Sequence, residues 1–226
     1  MNPQWTCILF DLDGTILDSA PGITATLAWT FERLGRPIPR PAELLAYVGP
    51  PILDSFRDLA HMSPAESAEA LEIYRGRYLE HGTLDSAVYP GVAELLERIA
   101  ASDVPLSLAT SKPERPAIKM LDRFGLTQYF DAITGASEDE VRSRKADVVA
   151  EALNRLELLG ADISAPVMVG DREHDVHGAA ERGVPTIFAR WGYGSVDEEV
   201  GAIAVATTAE QLGELLLGAQ TASLSA

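Results

Sequence analysis

The stretch ILFDLDGTILDS, residues 8–19, decides the fold and points to the chemistry. It begins as an apolar run and places two acids, Asp11 and Asp13, directly after it. Because side chains alternate along an extended chain, both acids are expected on one face at the end of a buried strand. Carboxylates this close repel each other, so the sequence predicts a compensating cation nearby.

Composition and charge narrow the class of protein. Of the 226 residues, 46% are hydrophobic and 23% are charged, as in ordinary globular proteins. The formal net charge of −16 disfavours nucleic-acid polymers and anionic lipids as partners, because their phosphates are also negative. Small anions stay open as ligands, since a few local cations suffice to hold them.

The sequence also predicts a cytoplasmic protein that does not enter a membrane. No apolar run approaches the roughly 18 to 20 residues needed to span a bilayer. The first residues, MNPQWTC, lack the basic segment and cleavage site of a secretory signal. The single cysteine, Cys7, fits a reducing compartment, and we expect it to be a buried packing residue.

Apolar runs of strand length alternate with segments of helical periodicity over most of the chain. Runs that are apolar on both faces are typical of parallel strands covered by helices. Val92–Ala100 and 149–159 repeat apolar residues at helical spacing. This alternation predicts an α/β fold with a Rossmann-like, doubly wound parallel sheet. The predicted strands are residues 7–10, 105–109, 132–134, 167–169, 186–189 and 202–206.

An inserted helical module interrupts this rhythm after the first strand, and no convincing strand is recognisable between Thr15 and Tyr89. Ser63, Pro64 and Glu66 form a capping-box pattern that marks the start of its last helix. The predicted helices are residues 23–34, 41–47, 52–60 and 65–80. We therefore predict a core of residues 1–15 and 90–226, an all-helical cap domain of residues 16–89, and a flexible tail at 218–226.

Polar clusters follow several of the predicted strands. Ligands of open parallel sheets bind beyond the carboxyl ends of the strands, so these clusters are expected to meet at one edge. Acid oxygens are the ligands that Mg²⁺ prefers, and such an ion would relieve the repulsion between the acids. The clusters are DLDGT at residues 11–15, TSKP at 110–113, Lys145 before a predicted helix, and GDREHD at 170–175.

The same clusters contain donors that suit a phosphoryl group. Thr110 offers a hydroxyl, Lys145 offers a cation, and the turns offer backbone N–H groups. His174 and His177 are not expected to bind metal, because no cysteine or further histidine is close and the site favours hard oxygen ligands.

In this order and spacing, DLDGT, LATSKP, Lys145 and VGDREHD resemble the motifs of the haloacid dehalogenase superfamily of phosphatases. The resemblance covers nearly the whole chain, and the helical insertion is similar to that superfamily's cap. Two further segments, VGPPILDSF at residues 48–56 and RWGYGS at 190–195, resemble the phosphoglycolate phosphatase-like branch.

The resemblance implies a Mg²⁺-dependent hydrolase that acts on a small phosphorylated metabolite. It assigns Asp11 as the nucleophile that forms an aspartyl-phosphate, and Asp13 as the general acid and then the general base. Phosphate binding is assigned to Thr110, Ser111 and Lys145. Metal binding is assigned to Asp11, to Asp13 through its backbone carbonyl, to Asp171, and to Asp175 directly or through a water.

One departure from the superfamily pattern leaves an alternative open. Many relatives carry a proline after the third-motif lysine, whereas Ala146 follows Lys145 here. Arg142 and Arg144 are also nearby, and Arg144 is the main competitor for the role of Lys145.

Several residues have both a functional and a structural interpretation. Residues 49–51 either reach over the substrate or form a turn between helices. Trp191 and Tyr193 either line the site or pack a loop. Arg57 is a candidate contact to an anionic substrate group. Hinges for a cap are expected at residues 15–20 and 83–90.

Other functions stay open at this stage. Within the same superfamily, a 5′-nucleotidase, a pyrophosphatase or a sugar phosphomutase would share the acids. A phospho-signalling receiver also uses acids, a hydroxyl and a lysine, but receivers are shorter and lack a helical insertion. A silent binding protein should have lost Asp11 or Asp13, and both are present. The physiological substrate and the oligomeric state, monomer or homodimer, are not predicted.

Overall fold

The computed structural model describes residues 5–218 and centres on a six-stranded sheet. Apart from Gly218, the predicted tail lies outside the described residues. The strands are β1 (Cys7–Phe10), β2 (Leu17–Asp18), β3 (Ala87–Val88), β4 (Leu106–Pro113), β5 (Ala132–Ala136), β6 (Pro166–Gly170), β7 (Thr186–Ala189) and β8 (Ala204–Ala206). The large sheet has the order β5-β4-β1-β6-β7-β8, and all its pairings are parallel. This confirms the predicted doubly wound α/β fold.

Helices connect and cover the strands. They are α1 (Ala20–Arg33), α2 (Pro41–Leu44), α3 (Ile52–Asp58), α4 (Pro64–Glu80), α5 (Val92–Ala100), α6 (Glu114–Arg123), α7 (Lys145–Leu158), α8 (Glu173–Ala180) and α9 (Ala209–Leu217). Short 3₁₀ turns occupy Leu45–Tyr47, Gly82–Leu84, Thr127–Tyr129 and Val196–Glu199. Across residues 5–218, none of the helices combines the length and apolar character required to traverse a bilayer.

Strand β1 is buried on both faces, which explains its unbroken apolar sequence. Ile8 and Phe10 belong to one apolar cluster, which also holds the buried faces of α5, α6 and α9. Cys7 and Leu9 point into a second cluster with the buried faces of α7 and α8. Because successive side chains of β1 point to opposite faces of the sheet, this strand packs against helices on both sides. Cys7 is buried, as predicted.

The predicted helices between β1 and β4 are present, with adjusted bounds. The capping box of α4 is confirmed, because the Glu66 side chain accepts from the Ser63 N–H at 2.8 Å and the Ser63 hydroxyl accepts from the Glu66 N–H at 3.4 Å. The helix predicted at 41–47 is instead α2 followed by a 3₁₀ turn. Edge-to-face aromatic pairs join these helices, with Phe56 contacting Phe31, Tyr47 and Tyr74.

The prediction that residues 15–89 contain no strand is wrong. Strands β2 and β3 pair in antiparallel fashion, with Leu17 opposite Val88 and Asp18 opposite Ala87. Each strand has only two residues, so neither carries the alternating pattern by which strands are recognised. Both lie within the segments predicted as hinges, and they form the short ribbon by which the chain enters and leaves the helical segment.

Two helical glycines allow a test of the packing of the helical segment. A Cβ at Gly22 in α1 would lie 2.0 Å from the Gly82 carbonyl oxygen, whereas a Cβ at Gly76 in α4 would meet nothing within 4 Å. Gly22→Ala should therefore lower the free energy of unfolding by about 1–3 kcal/mol through overpacking. Gly76→Ala should raise it by about 0.5–1 kcal/mol through helix propensity. Urea unfolding of both variants measures these changes. If both substitutions changed the free energy of unfolding in the same direction, the packing described here would be contradicted.

Candidate active site

The candidate site lies where the direction of chain winding reverses. Strand β1 pairs with β4 on one side and with β6 on the other, so the chain crosses to opposite edges from this point. Crevices at such switch points, beyond the carboxyl ends of the strands, are the usual ligand sites of open α/β sheets. The three strands deliver DLDGT, TSKP and GDREHD to this edge, as predicted.

A tight turn after β1 fixes the first acids. The Leu12 carbonyl accepts hydrogen bonds from the backbone N–H groups of Ile16 and Leu17, both at 2.9 Å. Gly14 adopts φ +87°, and a Cβ there would lie 2.2 Å from Asp171 Oδ2. Glycine is thus required both by the backbone conformation and by the closeness of Asp171.

Three of the predicted acids meet in one buried cluster. Asp11, Asp171 and Asp175 each place a carboxylate oxygen within 4.8 Å of the others. Lys145, at the start of α7, lies among them, with Nζ 2.7 Å from Asp11 Oδ1 and 2.7 Å from Asp175 Oδ1. Lys145 Nζ also donates to the Ala109 carbonyl at 3.0 Å. The cluster therefore unites residues more than 130 positions apart in the chain.

The charges of this cluster are not balanced. Burial raises the pKa of Asp11 to about 6, although Lys145 acts to lower it. Burial, together with Asp175 and Asp11, raises the pKa of Asp171 well above its ordinary value. Burial alone would raise the pKa of Asp175, but Lys145 and backbone donors outweigh it and leave that pKa lowered. Three carboxylates facing one ammonium would carry a formal charge of −2.

Both carboxylate oxygens of Asp171 accept hydrogen bonds. Its Oδ1 accepts from the Thr15 hydroxyl at 3.1 Å, and its Oδ2 accepts from the Tyr193 N–H at 2.8 Å. A Cβ at Gly192 would lie 2.3 Å from Asp171 Oδ2, so the backbone of this loop packs directly on the carboxylate. Asp175 Oδ2 accepts from the Asp171 N–H at 3.1 Å, which ties the two acids together across the start of α8.

Asp13 lies apart from the acid cluster, and its carboxylate has different partners. Lys112 Nζ donates to both carboxylate oxygens, at 3.0 and 2.8 Å, and the Ser19 hydroxyl also donates to Oδ1. The ring of Tyr78, from α4, covers Lys112 Nζ at 4.5 Å. The Asp13 side chain is thus absent from the metal-type cluster, which leaves only its backbone carbonyl for the predicted metal contact.

The predicted phosphate-binding residues reach the same edge. Thr110 and Ser111 are buried at the end of β4, and the Thr110 hydroxyl accepts from the Lys112 N–H at 3.2 Å. The Ser111 hydroxyl is buried without a hydrogen-bond partner among the described residues. A buried hydroxyl is costly unless a partner arrives, so Ser111 has donor capacity available to a ligand.

The structure separates Lys145 from its competitor. Arg144 is exposed, and its guanidinium lies 3.1 Å from Glu181, away from the acid cluster. The contact of Arg57 to an anionic substrate group stays a prediction, and Arg57 is exposed and lies 3.5 Å from Asp54. That pairing is set by helix α3 itself, where residues three apart share a face.

Trp191 and Tyr193 have the packing role that was one of their two interpretations. Trp191 Nε1 donates to the Thr15 carbonyl at 3.0 Å. The Tyr193 hydroxyl accepts from the Ser19 and Ala20 N–H groups and donates to Asp18. Both residues therefore bind the loop after β7 to the turn and ribbon that follow β1.

Sequence reasoning missed Lys112, Ser19 and Tyr78 as neighbours of Asp13. Lys112 lies inside LATSKP, directly after Ser111, and this position in the motif was the only indication in the sequence that it belongs to the site. Ser19 belongs to the quoted stretch ILFDLDGTILDS, but its contact depends on how the chain turns at Gly14. Tyr78 comes from a separate helix, and no local pattern predicts which face of α4 meets Lys112.

A cavity of about 390 Å³ adjoins the site between the helical segment and the TSKP turn. The loop of Gly49, Pro50 and Pro51 contributes to the cavity wall. This agrees with the interpretation in which the loop faces the site. The cavity also includes Asp13, Ser111 and Lys112. It therefore connects directly with the second acid of the DLDGT turn.

Comparison with known proteins identifies the class. The family model of haloacid dehalogenase-like hydrolases matches residues 8–189, and the chain belongs to that family. The predicted family is thereby confirmed, as is the expectation of an enzyme. A structure described as a predicted phosphatase from Clostridium acetobutylicum superposes with a TM-score of 0.87 and 33% identity, covering 93% of this chain and 97% of that one.

Curated relatives carry different activities in their names. The 5′-nucleotidase of Pseudomonas aeruginosa is 37% identical over 84% of this chain and 85% of its own length. The phosphoglycolate phosphatase of Aquifex aeolicus is 30% identical over 85% of this chain and 88% of its own. The tyrosine-protein kinase PtkA of Mycobacterium tuberculosis is 40% identical over 84% of this chain. The chain spans 64% of the length of PtkA.

The donor set of the acid cluster fits Mg²⁺. Hard carboxylate oxygens are its preferred protein ligands, and one or two carboxylates with several waters are its usual complement. The unbalanced charge of the cluster and the raised pKa values of Asp11 and Asp171 indicate that a dication would stabilise the ionised acids.

We expect Mg²⁺ to stabilise the fold through this cluster. At about one hundred times its Kd, a ligand adds about 2.7 kcal/mol, or roughly 5–10 °C in Tm for a chain of this size. Asp171→Asn should lose most of this gain, since it removes a buried ligand charge. Asp103→Asn is the matched control, because Asp103 is exposed at φ +58°, which asparagine tolerates. Equal Mg²⁺-dependent shifts in both variants, measured by thermal melting, would refute the assignment.

Proposed function

We propose that the protein is a Mg²⁺-dependent phosphomonoester hydrolase that acts through Asp11 on a small phosphorylated metabolite. The observation that carries this proposal is the buried contact of Lys145 with Asp11 and Asp175 at the switch point of the sheet. It brings a nucleophile, a cation and metal-type acids together beside a cavity large enough for a substrate.

In the proposed reaction, Asp11 attacks the phosphorus of the ester. A bond forms between its carboxylate oxygen and phosphorus while the bond from phosphorus to the alcohol oxygen breaks, which yields an aspartyl-phosphate. Lys145 acts against burial to lower the pKa of Asp11, and this favours the ionised carboxylate that the attack requires. Because Lys145 Nζ donates to Asp11 Oδ1, we assign Oδ2 as the attacking oxygen.

Asp13 is proposed to handle the proton. In its protonated form it gives its proton to the departing alcohol oxygen, and the carboxylate left behind later accepts a proton from the water that hydrolyses the aspartyl-phosphate. Lys112 and Ser19 hold the ionised Asp13 carboxylate in a fixed orientation through three hydrogen bonds, and this ionised form is the one that would accept the proton from water. Its position on the cavity wall supports this role, because the alcohol portion of a substrate would lie there.

Charge neutralisation completes the proposed mechanism. Thr110, Ser111 and Lys145 would contact oxygens of the transferring phosphoryl group, where fixed donors stabilise the developing charge. Asp11, Asp171, Asp175 and the backbone carbonyl of Asp13 would hold Mg²⁺. When bound, the ion would supply positive charge to the phosphoryl oxygens and to the crowded acids.

The helical segment is proposed to act as a cap. We retain the division into a core of residues 1–15 and 90–226 and a cap of residues 16–89, with the β2–β3 ribbon as its attachment. Arg172 donates to the Val48 carbonyl, and Arg75 forms an ion pair with Glu140, so two polar contacts join the proposed cap to the proposed core. A cap in this position would exclude water from the aspartyl-phosphate.

The relatives support hydrolysis and also suggest a second candidate. The names 5′-nucleotidase and phosphoglycolate phosphatase support phosphomonoester hydrolysis. The 40% identity with PtkA favours phosphoryl transfer to a protein tyrosine as the alternative. Incubation with radiolabelled ATP and a tyrosine-containing peptide separates the two: label on the peptide supports the kinase, whereas free phosphate released from monoesters supports the hydrolase.

We expect Mg²⁺-dependent release of inorganic phosphate from p-nitrophenyl phosphate and from members of a panel of phosphorylated metabolites. Asp11→Asn should abolish turnover, because the amide is not a nucleophile for phosphorus. Asp103→Asn serves as control and should retain wild-type kcat. If the wild type hydrolyses nothing in the panel with Mg²⁺ present, the proposed function is wrong.

The neighbouring cations give a sharper test of the site. Lys145→Met should lower kcat at least about a hundredfold, as the loss of a buried electrostatic donor does in other enzymes. Arg144→Met removes the adjacent exposed cation and should leave kcat unchanged within about twofold, because a surface pair contributes little. Steady-state kinetics measure kcat for both variants, and melting curves confirm that both are folded. Similar losses of kcat in the two variants would contradict the role of Lys145.

A further inference from the structure

The cavity lies on the leaving-group side of the proposed reaction. Of the four predicted acids, Asp13 lines it, whereas Asp11, Asp171 and Asp175 do not. Asp13 is the acid that would protonate the departing alcohol oxygen. The alcohol portion of the substrate must therefore extend from Asp13 into this cavity, and its walls should match that portion.

The size of the cavity argues against a very small alcohol. Its volume of about 390 Å³ falls in the range that accommodates drug-sized ligands. A two-carbon acid group, as in phosphoglycolate, would occupy only a small part of it and leave the rest to water. Pyrophosphate would place a second phosphate in a space that is too large for it.

The walls are mostly apolar and aromatic. Tyr47 and Tyr74 contribute rings, and Ile23, Leu71 and Ile52 contribute aliphatic side chains. A flat, unsaturated ring packs well against such apolar and aromatic walls. A sugar phosphate carries hydroxyls over its whole surface, and apolar walls would leave those hydroxyls without partners.

The charges of the lining fit a neutral group with a polar edge. Lys112 is paired with Asp13, and Arg75 with Glu140. The remaining cation, Arg115, is exposed and forms no ion pair within residues 5–218, but Glu138 shares the same lining. A second anionic group on the substrate would therefore find little unbalanced positive charge. Amide, amino and ring-nitrogen groups can instead exchange hydrogen bonds with the guanidinium and carboxylate groups.

We propose that this cavity is a nucleobase-binding subsite and that the preferred substrates are nucleoside 5′-monophosphates. The proposal rests on the proposed function, since it assigns the alcohol portion of the same ester. The base would lie among Tyr47, Tyr74 and Leu71, with its polar edge toward Arg115 and Glu138. The ribose would lie between the base and Asp13, so that the 5′-oxygen reaches the proton donor.

The decisive comparison uses two substrates with the same reacting ester. Nucleoside 5′-monophosphates and ribose 5-phosphate differ in the base, so their ratio of kcat/KM isolates its contribution. We expect at least one of AMP, GMP, CMP and UMP to exceed both ribose 5-phosphate and phosphoglycolate at least tenfold. If ribose 5-phosphate or phosphoglycolate is hydrolysed as efficiently as every nucleotide, the subsite is refuted and the proposed function stands. If no monoester is hydrolysed, the proposed function itself fails.

A substitution that fills the cavity provides an independent test. Gly76 of α4 lines the cavity, and a Cβ there would meet nothing within 4 Å. Gly76→Met should therefore fold normally and place a long side chain where the base would lie. It should lower the nucleotide to ribose 5-phosphate ratio of kcat/KM at least tenfold.

The matched control adds the same side chain elsewhere on the helix. Ala68 is exposed on α4 and is not part of the cavity wall, so Ala68→Met should leave the ratio unchanged. Melting curves of both variants verify that the helix is intact. A ratio that stays at its wild-type value in Gly76→Met would overturn the assignment of the cavity to the base.

Discussion

The buried contact of Lys145 with Asp11 and Asp175 is the interaction on which the site depends. Three carboxylates within 4.8 Å of one another, all removed from water, would be strongly unfavourable without a cation. Lys145 supplies one positive charge at 2.7 Å from two of them, and its own pKa is raised because these acids outweigh the effect of burial. The proposed Mg²⁺ would offset the remaining imbalance, and its binding would then link the stability of the fold to the proposed chemistry.

The sheet explains how such distant residues come to share one place. Asp11 directly follows β1, Asp171 directly follows β6, and Lys145 is the first residue of α7, so each lies at one end of a rigid element at the same edge of the sheet. The chain reverses its winding there, which opens a crevice between neighbouring connections. The helical segment emerges from the same edge through the β2–β3 ribbon, and its apolar side chains line the cavity that Asp13 also lines.

The parts of this arrangement that depend on local sequence patterns were predictable, whereas the contacts between distant residues were not. The run before Asp11 is apolar on both faces because β1 joins two helical layers, and that pattern is visible without a structure. The β2–β3 ribbon was not predicted, because a strand of two residues is too short to show the alternation of apolar and polar side chains. The pairing of Lys112 with Asp13 was missed because it joins residues 99 positions apart, and long-range pairs of this kind leave no local trace. The choice between Lys145 and Arg144 required knowing which side chain points inward.

The glycines around Asp171 have a consequence for how such an enzyme diversifies. Backbone atoms at Gly14 and Gly192 press against its carboxylate, so the floor of the site is built from main chain. Single-nucleotide changes exchange side chains and leave the main chain in place, and any side chain added at these positions would displace the acid. The cavity beside Asp13 is instead lined by exchangeable side chains such as Tyr47 and Leu71. If the cavity selects the substrate as proposed, single substitutions in its wall can change that selection while the acid cluster and its proposed reaction are inherited unaltered.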